Sequence, residues 1–180
     1  MILENKTLLT VIDVQGKLAD LMVEKDSLFL QLRRIIQGVQ LLGMPILWLE
    51  QLPEKLGPTR PEIEPLLRET GKPIAKTPFS AWASGEYRQA LETSRRTHVL
   101  LCGIEAHICV YQTARDLLER GYEVTLLEDC VSSRTRENRA TGIAAVRDMG
   151  GWISCVETVL FEILRTPEHP AFREISRIIK

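Results

Sequence analysis

Short apolar runs alternate with longer amphipathic stretches along the chain. The runs are TLLTVID (7–13), PILWLE (45–50), PIAK (73–76), HVLLCGI (98–104), EVTLLEDC (123–130) and WISCVE (152–157). Each reads as a strand, and each is followed by a helical pattern. Leu28, Leu32, Ile35, Ile36, Val39 and Leu42 recur at helical spacing, as do Val110, Ala114, Leu117 and Leu118, and then Ile143, Val146 and Met149. Gly43, Gly121 and Gly150 follow these three helices, where a C-terminal cap is expected.

Strands alternating with helices predict βαβ units and a parallel sheet covered on both faces. With right-handed crossovers, the expectation is an α/β fold: a three-layer α/β/α sandwich on a six-stranded parallel sheet, Rossmann-like in plan. The third strand is the weakest of the six. Residues 51–72, rich in Pro and charge, read as a loop with one short helix from about Glu62, and a loop of this length is a candidate lid. PAFREISRIIK predicts a C-terminal helix.

The length of 180 residues suits one domain over 1–180. With 44% hydrophobic and 26% charged residues, the composition is that of a folded globular chain. A net charge of -1, with only short isolated basic pairs, argues against a nucleic-acid partner. No apolar run is long enough for a membrane span. The opening residues MILENKTLLTVIDVQ carry neither a basic n-region nor a small-residue cleavage site. They read as the first strand rather than a signal peptide, and a cytoplasmic location is the expectation. Of the four cysteines, Cys102 and Cys155 fall inside strand patterns and Cys130 ends one; all three read as buried small hydrophobes. The cysteine and histidine spacing has no metal-binding pattern, and no cofactor is expected.

Cys109 differs from the other three. THVLLCGIEAHICVYQTARDLLERG (97–121) reads as a buried strand, a tight turn and a helix with Cys109 in its first turn. Unpaired amides and the positive end of the helix dipole favour a thiolate there, so Cys109 is a candidate nucleophile. In an open parallel sheet, ligands bind beyond the carboxyl ends of the strands. Asp13 ends the first strand there and Lys76 the third. If the strand order is 3-2-1-4-5-6, Asp13 faces Cys109 across the switch point, while Lys76 starts about 10 Å away and reaches in only if its loop leans over the pocket.

A histidine base for Cys109 does not fit. His98 is at the wrong end of its strand, His169 lies in the terminal segment, and His107 is two residues away on the same helix, facing elsewhere. Asp13 as proton acceptor and Lys76 as stabilising cation fit instead. The amides of the turn 103–107 are placed to hold an oxyanion, which points to acyl transfer through a thioester.

VIDVQ (with Asp13 and Gln15), the Lys76-x-x-Phe79-Ser80-Ala81-Trp82 segment, GIEAHICV around Cys109 and EDCVSSR (128–134) occur in register, and together they resemble the isochorismatase-like cysteine hydrolases. The resemblance implies an Asp13–Lys76–Cys109 triad and a cis peptide between Ile104 and Glu105 that shapes an oxyanion hole from Ile104, Glu105, Ala106 and Cys109. It also implies a homo-oligomer, for which the 51–72 loop and the C-terminal helix are candidate contact surfaces. Two departures narrow it. Nicotinamidases of this kind carry an Asp-x-His-x-x-His metal site after the second strand, where LEQLPEKLGPT has no histidine; isochorismatases proper lack the cysteine.

The expectation is a metal-free hydrolase of a C–N bond in a small amide-like substrate. A non-catalytic binding or scaffold protein of the same fold is the alternative. A nucleotide-binding domain is disfavoured, because DVQGKL lacks a G-x-G-x-x-G cradle. Gln15, Phe79, Trp82, His107, Ser132 and Ser133 are candidate substrate contacts. Core packing is the alternative for Phe79 and Trp82, helix capping for Ser132 and Ser133, and a solvated side chain for His107.

Overall fold

The computed structural model describes residues 1–180. Six parallel strands, β1 (Thr7–Ile12), β2 (Ile46–Gln51), β3 (Ile74–Lys76), β4 (His98–Ile104), β5 (Glu123–Ser132) and β6 (Trp152–Ser154), lie in the order β3-β2-β1-β4-β5-β6. The order reverses between β1 and β4. Their carboxyl ends therefore diverge into a crevice at that point.

Side-chain alternation splits the core in two. Leu9, Val11, Ile46, Trp48, Leu100 and Cys102 pack on one face with α2 (Lys25–Leu41), α4 (Glu64–Arg68), α8 (Val156–Leu164) and α9 (Phe172–Ile179). Leu8, Ile12, Leu49, Val99, Leu101 and Val124 pack on the other with α5 (Gly85–Ser94), α6 (Tyr111–Leu118) and α7 (Arg136–Asp148). A strand buried on both faces needs apolar residues at consecutive positions, which is why these runs are nearly continuous. Gly43, Gly121 and Gly150 all have positive φ at the predicted helix ends. No helix is long and apolar enough to cross a membrane.

The structure departs from the sequence expectation in three places. Cys155 lies outside β6, which stops at Ser154. It takes the N-cap position of α8 instead, where the Asp129 carboxylate accepts the Val156 N–H at 3.1 Å. The 51–72 segment carries two short helices, α3 (Pro53–Leu56) and α4, rather than one. It is also tied down: Thr59 bridges Gln15, and its N–H and hydroxyl donate to the buried Glu50 carboxylate at 2.7 and 2.8 Å. Finally, β5 bulges, because pairing with β4 jumps from Leu101↔Leu126 to Gly103↔Val131. The strand thereby extends to Ser132 and delivers residues 132–134 to the crevice.

Candidate active site

Asp13 follows β1 with φ 50°, a left-handed conformation that Asp tolerates better than most residues, and it bends the chain out of the strand. Its backbone N–H reaches the Leu49 carbonyl at 3.2 Å, and Gln15 N–H closes back on its carbonyl at 2.8 Å. α1 (Gly16–Asp20) then leads away. Lys76 ends β3 on the same face as Ile74, the face that also holds Cys109. Its ammonium donates to Asp13 Oδ2 at 2.6 Å, Gln51 Oε1 at 2.6 Å, and the carbonyls of Phe79 and Pro78 at 3.0 and 3.2 Å. The TPFS turn therefore curls back over the lysine.

Cys109 lies in a π-helical turn, Ala106–Val110, that runs into α6. Such turns concentrate at functional sites. The Ile104–Glu105 peptide is cis. The Glu105 carbonyl accepts the Ile108 and Val110 N–H groups at 3.1 and 3.3 Å, while the Glu105 N–H makes no backbone hydrogen bond. Gly142 of α7 packs directly on this turn: a Cβ there would stand 2.5 Å from the Ala106 carbonyl and 2.6 Å from His107 N.

The electrostatics revise the sequence reading of the thiol. Burial pushes Cys109 up to about 12, and the charge of the Asp13 carboxylate adds to this; Lys76 opposes it. The sulfur is thus held as a thiol at neutral pH, not as a standing thiolate, because it is only 7% exposed and the charge of Asp13 outweighs that of Lys76. Burial also raises Asp13, against the pull of Lys76. Asp13 Oδ1 has no hydrogen-bond partner while Oδ2 is committed to Lys76. A carboxylate with one oxygen anchored and the other free can accept a proton from the thiol that influences it.

The structure separates the remaining candidates. Gln15 is fully buried and is spent on backbone: Oε1 accepts Gln51 N–H at 2.6 Å, and Nε2 donates to the carbonyls of Gln51 and Gly57 at 3.1 and 2.7 Å. It holds the loop to β2 rather than a ligand. Ser132, also buried, donates to the Val23 carbonyl at 2.8 Å. Trp82 packs against Tyr122, with ring centroids 5.8 Å apart, and against the Arg120 guanidinium at 4.9 Å. Those residues follow the C-terminus of α6, the end opposite Cys109, so the ring is withdrawn from the thiol. His107 and Ser133 pair at 3.0 Å beside the turn. The Phe79 ring is exposed.

One residue escaped the sequence reading. Gln51 bridges Lys76 and the Thr77 carbonyl, both at 2.6 Å. Arg134 clasps the Glu105 carboxylate. The signal for Gln51 was its place at the carboxyl end of β2, between the strands of Asp13 and Lys76. No cluster of three His, Cys, Asp or Glu side chains is arranged to hold a metal ion. A cavity of about 580 Å³ opens between α2, α4 and α9, beside Gln40, Leu66 and Ile178.

Residues 7–158 match the isochorismatase domain. The chain is 35% identical over 179 residues to isochorismatase domain-containing protein 2A of Mus musculus, covering 99% of this chain and 85% of that protein. MAR1 ribonuclease from Caenorhabditis elegans superposes with a TM-score of 0.90 at 32% identity, over 99% of this chain and 91% of that one. The Escherichia coli YcaC structure, described as an octameric hydrolase of unknown specificity, superposes with a TM-score of 0.87 over 98% of this chain and 94% of that one. Its 18% identity speaks for the fold alone.

Proposed function

From the premise that this chain belongs to the isochorismatase family, we propose that it is a cysteine hydrolase of small amide-like C–N bonds, working through an Asp13–Lys76–Cys109 triad. The observation that carries this reading is the half-committed Asp13 carboxylate, anchored to Lys76 at 2.6 Å through one oxygen and coupled to the Cys109 thiol. A surface carboxylate gains nothing from such an arrangement, whereas a general base needs it.

The thiol sulfur attacks the carbonyl carbon while its proton passes to Asp13. This avoids a free thiolate in a site that disfavours one. The carbonyl oxygen becomes an oxyanion facing the amides of the 104–109 turn. Asp13 returns the proton to the leaving nitrogen, the C–N bond breaks, and a Cys109 thioester remains. Asp13 then takes a proton from a water that attacks the thioester, the C–S bond breaks as the acid forms, and Asp13 returns the proton to the Cys109 sulfur. Lys76 keeps Asp13 oriented and offsets the negative charge that gathers on it. The near-complete burial of Cys109 favours a small substrate.

The YcaC structure described as an octameric hydrolase supports assembly of this chain into a homo-oligomer. The test is a panel of small amides and carbamoyl compounds read by amine or ammonia release, with Cys109→Ala as control. Turnover lost in that variant, together with an acyl adduct on Cys109, supports the reading; release that persists in Cys109→Ala removes it. An RNA oligonucleotide belongs in the same panel because of the name borne by the worm relative. RNA cleavage that survives Cys109→Ala, without amide turnover, would replace the amide reading. A chain inert to the whole panel would favour a binding member of the fold.

A further inference from the structure

We infer that Arg134, acting through the Glu105 carboxylate, is a positioning residue that holds the 104–107 turn where its amides meet the oxyanion. The inference rests on the cysteine-hydrolase reading above. Glu105 is the residue whose own N–H stands free at the start of the π-helical turn, yet its side chain points away from solvent, 6% exposed. A buried carboxylate needs partners. Arg134 supplies them from the segment that the β5 bulge carries to the crevice: its backbone N–H donates to Oε2 at 3.1 Å, and its Nε lies 3.2 Å from each oxygen. The adjacent Ser133 reaches the same turn through His107.

On the opposite side, the bare Gly142 backbone of α7 abuts the Ala106 carbonyl and His107 N. The turn is thus braced from two elements, and the Arg134–Glu105 clasp sets its position along the crevice. Glu105 is also one of the charges that raise the Cys109 thiol.

Two probes of Cys109 separate the oxyanion from the nucleophile. With p-nitrophenyl acetate the sulfur attacks the acetyl carbonyl, its proton passes to Asp13 and the carbonyl oxygen becomes charged. p-Nitrophenolate then leaves as the acetyl thioester forms. Iodoacetamide is displaced at its CH₂ carbon, iodide leaves, and no oxyanion arises. Arg134→Met is expected to slow acetylation about tenfold to a hundredfold while alkylation changes by less than about threefold, since misplaced donors hurt only the step that develops charge.

Arg134→Lys, which keeps a cation near Glu105, is expected to recover part of the loss. Acetylation unchanged in Arg134→Met, or both rates falling together, overturns the inference. A parent protein that p-nitrophenyl acetate never labels at Cys109 overturns instead the reading on which it rests.

Discussion

Asp13 and Lys76 meet at 2.6 Å across 63 residues of sequence, although their strands are not neighbours in the sheet. β2 lies between them, and its last residue, Gln51, pairs in register with Lys76 and accepts a second hydrogen bond from the same ammonium. The lysine spans the gap with its own side chain, lying along the face of β2 rather than being carried over by a leaning loop. Both groups are almost wholly buried, at 2% and 0% side-chain exposure. Each charge therefore depends on the other.

That dependence is measurable by a double-mutant cycle in chemical denaturation. Asp13→Asn, which retains the left-handed backbone tolerance, and Lys76→Met each leave one buried charge unmatched and are expected to cost about 3–5 kcal/mol. The double variant is expected to lose clearly less than the sum. Additive losses would show that the pair is not coupled.

The protonated thiol gives a pH signature. Iodoacetamide labelling of Cys109 should keep rising through pH 8–10 instead of levelling off, about tenfold per pH unit for a thiol pushed up to about 12. Asp13→Asn removes a charge that raises the thiol and should speed labelling at fixed pH while abolishing turnover; Lys76→Met should slow it. Labelling by mass spectrometry at pH 7, 8, 9 and 10 checks both signs, and a plateau by pH 8 would contradict them.

The same shift bears on stability. An unfolded thiol releases its proton near 9.0, while the folded one holds it to about 12, so the folded state binds more protons over that window. Stability from this group is complete below pH 9 and is lost as pH rises toward 12. Cys109→Ser has no such ionisation. The difference between its unfolding free energy and that of the parent should shift in favour of the serine variant above pH 9, as read by denaturant titration across pH 7–11.

Gly142→Ala tests the packing of α7 on the turn. The new methyl would meet backbone rather than a movable side chain, at 2.5 Å. Overpacking of this kind costs about 1–3 kcal/mol, which corresponds to several degrees in melting temperature for a chain of this size. A melting temperature within a degree of the parent would show that the turn yields freely.

Gln15→Leu tests its reassignment from ligand contact to scaffold. It would leave Gln51 N–H and the carbonyls of Gln51 and Gly57 without their partner. A loss of about 2 kcal/mol or more in denaturant unfolding is expected, since buried polar groups left unpaired cost about 1–3 kcal/mol each. Unchanged stability with weakened ligand binding would restore the contact role.

The chain alone determined the α/β plan, because the central strands are buried on both sides and consecutive apolar positions such as Leu8 and Leu9 have no other use. It also determined the helix stops at Gly43, Gly121 and Gly150, where the backbone must turn left-handed. It placed Asp13 and Lys76 at strand ends and Cys109 in the helical turn after β4, since these are local features of spacing. Tertiary structure decided how they meet. The reach of Lys76 over β2, the role of Gln51, and the commitment of Gln15 and Ser132 to backbone partners all depend on groups far away in sequence. So does the charge state of Cys109: helix position argues for a thiolate, but desolvation and the adjacent Asp13 carboxylate outweigh it, and only the packed interior supplies both.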